Sequence, residues 1–118
     1  MKKRILILED DKSTILLYNK LLYEYDLSIA NNIPDAITLI DNNKPFDCYL
    51  FDIHIRGSKF NGSELISKVN KNRVIVVSAI DLAYISREHQ IIKEVLVHQK
   101  PFDVNKLKEQ VRKIAYEN

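Results

Sequence analysis

Short, uninterrupted apolar runs alternate along the chain with stretches whose apolar residues recur every three or four positions. The runs stand at Ile5 to Leu8, Cys48 to Ile55 and Val74 to Val77, with weaker ones at Leu27 to Ala30 and Val95 to Val97. Continuous rather than alternating apolarity indicates strands covered on both faces, as in a parallel sheet. Between them, Ile15, Tyr18, Leu22 and Tyr25, with Leu21 beside them, mark one amphipathic helix. Val104, Leu107, Val111 and Ile114 mark another, with Lys106, Lys108 and Arg112 falling elsewhere around it. Pro34 suits the first turn of a helix carrying Ala36, Ile37 and Ile40. Asn61 or Ser63 is placed to cap one containing Leu65, Ile66 and Val69. The stretch from Asp81 to Lys93 carries a poorer stripe of Leu82, Ile85, Ile91 and Ile92.

Five strands alternating with five helices predict an α/β fold, a three-layer sandwich joined by right-handed crossovers. In such sheets ligands bind beyond the carboxyl ends of the strands. Chemistry is therefore expected in the residues that end each apolar run.

Composition narrows the possibilities. The chain has 118 residues, 46% hydrophobic and 29% charged, as expected of a globular protein, and no repeat or Pro/Gly/Ser-rich linker divides it, so one domain over residues 1–118 is expected. Its two glycines, Gly57 and Gly62, are too few for a dinucleotide fingerprint. Eighteen basic against sixteen acidic residues leave +2, which without a concentrated patch indicates neither nucleic acid nor an anionic membrane as partner. The apolar run near the amino terminus ends in carboxylates after four residues, too short for a signal peptide. No segment reaches the roughly 18 apolar residues of a membrane span. With a single cysteine, Cys48, flanked by apolar residues, the expectation is a soluble, cytoplasmic protein with a buried thiol.

At the strand ends the residue types change. The first run meets Glu9, Asp10 and Asp11, the third contains Asp52, the fourth ends in Ser78, and the fifth runs into Lys100 and Pro101. A parallel sheet would gather these on one edge. Crowded carboxylates raise one another's pKa unless a cation intervenes, and Mg²⁺ is the natural one, since it takes one or two carboxylates and shares its shell with water and phosphate. An acidic pocket that also holds a lysine suits phosphoryl chemistry.

Each of these residues also has a plainer reading. Asp10 and Asp11 could serve a helix N-cap, Lys100 could neutralise Asp52 as a structural ion pair, and Ser78 could be a satisfied hydroxyl. Asp52 resists such treatment, because an unpaired carboxylate inside an apolar strand is costly. His54, His89 and His98 have no metal-ligand spacing and read as surface or edge residues.

ILILEDD, YLFDI, VVSA and QKPF, in that order and with Ser78 and Lys100 22 residues apart, resemble the strand-end motifs of bacterial response-regulator receiver domains, and the likeness spans essentially the whole chain. The resemblance implies a flavodoxin-like, doubly wound (βα)5 fold with strand order 2-1-3-4-5. It implies that Asp52 accepts a phosphoryl group from a phosphohistidine on a sensor histidine kinase or phosphotransfer protein. Glu9 and Asp10 match the acidic pair of the Mg²⁺ site, with Asp10 and Asp52 as direct ligands and the backbone carbonyl of His54 completing the protein's share. Lys100 matches the residue that pairs with the carboxylate and then with the phosphate, and Ser78 the hydroxyl that moves onto a phosphoryl oxygen. The Lys100–Pro101 bond is expected to be cis by the same analogy. Such a protein is not a classical enzyme beyond Mg²⁺-dependent self-phosphorylation and autodephosphorylation. With room for a receiver and nothing else, it signals through a protein target on the face of the fourth helix, fifth strand and fifth helix, without direct nucleic-acid contact or membrane insertion.

Three departures from that pattern stand out. The positions four and eight residues after Asp52, usually Pro and Gly, hold Arg56 and Phe60, and the matching glycine is Gly62, so the loop reads two residues longer. Arg56 and Lys59 could there contact phosphate or simply be solvated. Val97 replaces the usual aromatic three residues before Lys100, and valine has no ring to swing. Lys93-Glu94 replaces a glycine-containing turn before the fifth strand. Val97 and the long loop motivate the alternative, a receiver-like interaction module independent of phosphorylation.

Other phosphate chemistries fit less well. Gly57 to Gly62 has phosphate-loop spacing, but Ser63 follows where lysine is required. A dehalogenase-like phosphatase would need a second aspartate at His54, and a flavin carrier would need a hydroxyl-rich cradle where EDD stands.

Overall fold

The computed structural model describes residues 2–52, 62–78, 96–100 and 102–117. Its elements are β1 (Arg4–Leu8), α1 (Lys12–Leu21), β2 (Asp26–Ala30), α2 (Ile33–Asn42), β3 (Cys48–Asp52), α3 (Gly62–Ser67), a 3-10 turn (Lys71–Arg73), β4 (Val74–Ser78), β5 (Leu96–Gln99) and α4 (Val104–Glu117). The strands form one sheet in the order β2-β1-β3-β4-β5, every neighbouring pair parallel. The helix expected within 81–93, the altered turn at Lys93-Glu94 and the loop carrying His54, Arg56, Gly57, Lys59 and Phe60 lie outside the described residues.

The continuous apolar runs are explained by two separate cores. Side chains alternate across a strand, and β1 sends Leu6 and Leu8 to one face but Ile5 and Ile7 to the other. β3 does the same with Tyr49 and Phe51 against Cys48 and Leu50. The first face is covered by Ala36 of α2 and Leu65 and Ile66 of α3, the second by Tyr18 of α1 and Leu107, Val111 and Ile114 of α4. Fully burying one such aliphatic side chain contributes roughly 1.5–3 kcal/mol, so two cores on one sheet supply most of the driving force for folding.

The helix limits follow local chemistry. Asp11 caps α1, its Oδ2 accepting from the Thr14 amide at 3.0 Å and from Thr14 Oγ1 at 2.7 Å. Asn32 caps α2, accepting from the Asp35 amide at 2.8 Å, with Pro34 in the first turn as its fixed φ favours. Ser63 falls inside α3, which begins at Gly62, so it is not the cap; Asn61 lies outside the described residues. Tyr25, at helical spacing from Leu22, lies beyond the end of α1. It is nevertheless buried in the second core, because the chain turns under the sheet there and the ring meets Tyr116 of α4 at 6.3 Å.

Candidate functional site

Two consecutive facts of register build the site. Leu8 pairs with Phe51, so extending the pairing by one residue sets Glu9 opposite Asp52 on adjacent strands. The pleat then assigns Glu9 to the row of Ile5 and Ile7, and Asp52 to the row of Cys48 and Leu50, both on the face under α1 and α4. Two carboxylates thus share one face at the carboxyl edge of the sheet. Glu9 is fully buried and its amide continues the ladder by donating to Ala30 O at 3.0 Å, while Asp52 is 6% exposed.

Lys100 supplies the counter-charge from the end of β5. Its Nζ donates to Glu9 Oε1 at 2.8 Å and to Asp52 Oδ2 at 3.2 Å, bridging the two acids. The lysine is held in place by its own backbone, whose amide donates to Ser78 O at 2.6 Å. Burial opposes the ammonium charge, yet the hydrogen bond to Glu9 and the charges of both acids outweigh it and hold the Lys100 pKa above its ordinary value. Burial likewise pushes the Glu9 carboxyl up to about 7; the bond from Lys100 opposes this and the proximity of Asp52 reinforces it.

Asp10 completes the acidic cluster. One carboxylate oxygen from each of Glu9, Asp10 and Asp52 lies within 4.8 Å of the others. Asp11 does not share this role, because its carboxylate is committed to the cap, and its amide donates to Glu9 Oε2 at 3.2 Å. The adjacent acids are thereby divided between one helix end and one pocket. Three hard oxygen donors with a partly solvated rim fit a small divalent cation such as Mg²⁺ better than a soft one.

Ser78 is buried at the same edge, one step beyond Val77, the register partner of Asp52. The pleat assigns it to the row of Val74 and Val76, on the opposite face from Asp52, so it flanks the acidic pair rather than joining the ion-paired row. Val97 is half-buried against the core that contains Val74, Val76 and Phe51. His98 is half-buried and hydrogen-bonded to Gln110 of α4, which ties the fifth strand to that helix. His54, expected to offer its carbonyl, and Pro101, with the expected cis bond, lie outside the described residues.

The sequence pattern did not disclose the contribution of Tyr18 to the site. It is 1% exposed and stacks on Phe102 with ring centroids 6.0 Å apart and planes 9° from parallel. Burial raises its phenol pKa, and the charges of Glu9 and Asp52 add to the effect. Its helical spacing marked it as core; that the same core abuts the carboxylates is a consequence of register.

Comparison of the sequence with protein-family models and with curated proteins gives no match. Solved structures do match. A Francisella response-regulator receiver domain is similar with a TM-score of 0.79 and 23% identity, covering 98% of each chain. A two-component response regulator from Clostridium difficile gives 0.80 and 23%, covering 96% of this chain and 95% of that one. The receiver domain of a Pseudomonas aeruginosa sensor histidine kinase, with a magnesium ion coordinated in its active-site cleft, gives 0.78 at 16% identity over 98% of both chains. With the sheet order and the edge at which the acids meet, these likenesses establish that the chain has the receiver fold of two-component response regulators, over nearly its whole length.

Proposed function

We propose that this chain is a response-regulator receiver domain that accepts a phosphoryl group on Asp52 from a phosphohistidine donor and signals through protein contacts. The observation that carries the reading is the bridge from Lys100 to Glu9 and Asp52 within a cluster of three carboxylates, at the edge of the sheet where such folds bind ligands.

Asp52 is the nucleophile. A carboxylate oxygen forms the new O–P bond as the P–N bond to the donor imidazole breaks, the bonding pair leaving with the nitrogen. Phosphoryl transfer depends chiefly on positioning and on neutralising the peripheral oxygens. Glu9, Asp10 and Asp52 would hold Mg²⁺, which supplies positive charge to those oxygens when bound. Lys100 orients the Asp52 carboxylate before transfer and follows the negative charge onto the phosphoryl group afterwards. Its two acceptors keep it charged, so it needs no proton from elsewhere. Ser78, at the same edge in the neighbouring row, is the group that turns towards the new oxygens and biases the segment after β4.

Incubating the protein with Mg²⁺ and a small acyl phosphate will add one phosphoryl group by intact mass, and Asp52→Asn will remove the addition. If the unaltered protein gains no adduct from the acyl phosphate or from any histidine kinase offered, the chain is instead a phosphorylation-independent interaction module. One observation favours that second reading. Val97, packed against the core, has one stiff torsion and no ring to reorient.

A further inference from the structure

The amino-terminal edge of the sheet, opposite the acidic cluster, carries cations interleaved with the acids Asp26, Asp41 and Asp47. Lys3 precedes β1 and Arg4 opens it, Lys44 precedes β3, Lys68 follows α3, and Lys71 and Arg73 lie in the turn into β4. Because all strands are parallel, these positions share one edge. Between the carboxyl end of α2 and the turn after α3 this edge contains a cavity of about 340 Å³, within the roughly 300–1,000 Å³ range of small-molecule sites.

Its apolar wall includes Ile40, Val69 and the rings of Phe46 and Tyr49, which meet edge to face at 5.7 Å and 70°. Its polar side has Lys68, Asn70 and Arg73, and among the described residues that line it none is acidic. The walls are tied before anything binds. Arg4 donates to Lys44 O and Asn43 Oδ1 at 3.3 and 3.2 Å and lies over the Phe46 ring at 4.3 Å. Arg73 Nη1 donates to Asp47 O at 2.9 Å. Pre-tied walls lower the ordering cost of binding.

Tyr49 gives the cavity direction. It is 3% exposed, and its hydroxyl accepts from the Phe46 amide at 3.1 Å, which leaves the O–H proton to donate. Asn70 is in the same position, its Oδ1 accepting from the Asn72 amide at 3.0 Å and its amide hydrogens left over. Spare donors and cations beside an apolar wall call for an acceptor-rich ligand with an apolar body. Lys68 pairs with Asp41 at 3.7 Å on the exposed surface, a weak contact that an incoming anion can replace.

We propose that this cavity binds a small organic anion, a carboxylate carried on a ring-bearing apolar body, at the end of the sheet remote from Asp52. The carboxylate meets Lys68 and the Asn70 amide, and the body lies along Val69 and the Phe46–Tyr49 edge. The test is amide-resolved NMR titration of the full chain with 4-phenylbutyrate, its uncharged amide and acetate. Saturable shifts at Phe46, Tyr49, Val69 and Asn70 are expected with the acid, with the amide about tenfold weaker for loss of the charge-assisted bond. Lys68→Gln should weaken the acid by a similar factor and leave the amide unchanged, and Val69→Phe should block both. No saturable shift with the acid, equal binding of acid and amide, or acetate shifts as large as those of the acid would each overturn the proposal. So would a short single-stranded oligonucleotide that shifts Lys3, Lys44 and Lys71 while phenylbutyrate does nothing, which would assign the edge to a polyanion.

Discussion

Replacing Lys100 with methionine removes the ammonium that bridges two buried acids and leaves a side chain of similar length. At an effective dielectric constant of about 20, contacts of 2.8 and 3.2 Å correspond to gross attractions of about 6 and about 5 kcal/mol. Most of this offsets the desolvation of the three groups, whose side chains are 20%, 1% and 7% exposed for Lys100, Glu9 and Asp52. What remains after truncation is an uncompensated buried charge, which typically costs about 3–5 kcal/mol. The lower end applies here, because burial has already raised Glu9 to about 7 and it can take up a proton when its partner goes. Urea unfolding followed by circular dichroism, with chelator, should therefore show Lys100→Met destabilised by about 3 kcal/mol. Two companion results test the cause. Saturating Mg²⁺ should recover most of the loss, since the cation occupies the same acids, and Glu9→Gln with Asp52→Asn should make the lysine change nearly neutral. A loss that is the same in the triple variant and insensitive to Mg²⁺ would refute the reasoning and make Lys100 a mere packing element.

The remaining expectations are independent of that bridge. Asp11→Ala removes the cap that satisfies both the amide and hydroxyl of Thr14, and should cost about 1 kcal/mol in thermal or urea unfolding with no change in Mg²⁺ affinity. Asp10→Asn should weaken Mg²⁺ binding by calorimetry. Cys48 is fully buried and its thiol is pushed up to about 12 from 9.0, so a thiol reagent should label it only after unfolding. A raised folded pKa stabilises below the unfolded value and is lost as pH climbs through the folded one, so the loss falls between pH 9 and about 12 and reaches at most about 4 kcal/mol. The stability gap between the unaltered protein and Cys48→Ala should accordingly narrow over that window; a constant gap would show that the thiolate penalty is not expressed.

The strands, and the helices among the described residues, were legible because burial leaves a trace in the sequence. Ile5 to Leu8 and Val74 to Val77 have no polar member, as a strand buried on both faces between helix layers requires. The helix from Val104 was equally plain, since Leu107, Val111 and Ile114 all reach the core. Tyr25 misled for a physical reason: helical spacing records which residues need burial, and a turn can bury one as well as another helical turn can. Strand order lay beyond periodicity and came from resemblance, because hydrogen-bonded pairing of β1 with both β2 and β3 leaves no mark on either sequence.

Taken by itself, the sequence determined the alternation of elements, the strand ends at which chemistry would appear, and the residue types available there. Only the tertiary structure decided how those residues are divided. It joined Glu9, Asp52 and Lys100 from positions up to 91 residues apart, since the register of parallel strands, and not spacing along the chain, sets which side chains share a row. It gave Asp11 to a helix end and Asp10 to the pocket, although the two are adjacent. It also placed, within a net charge of +2 that by itself implies no partner, three carboxylates together at the carboxyl edge of the sheet. A sum of charges is blind to position, whereas a parallel sheet sorts residues by whether they precede or follow a strand.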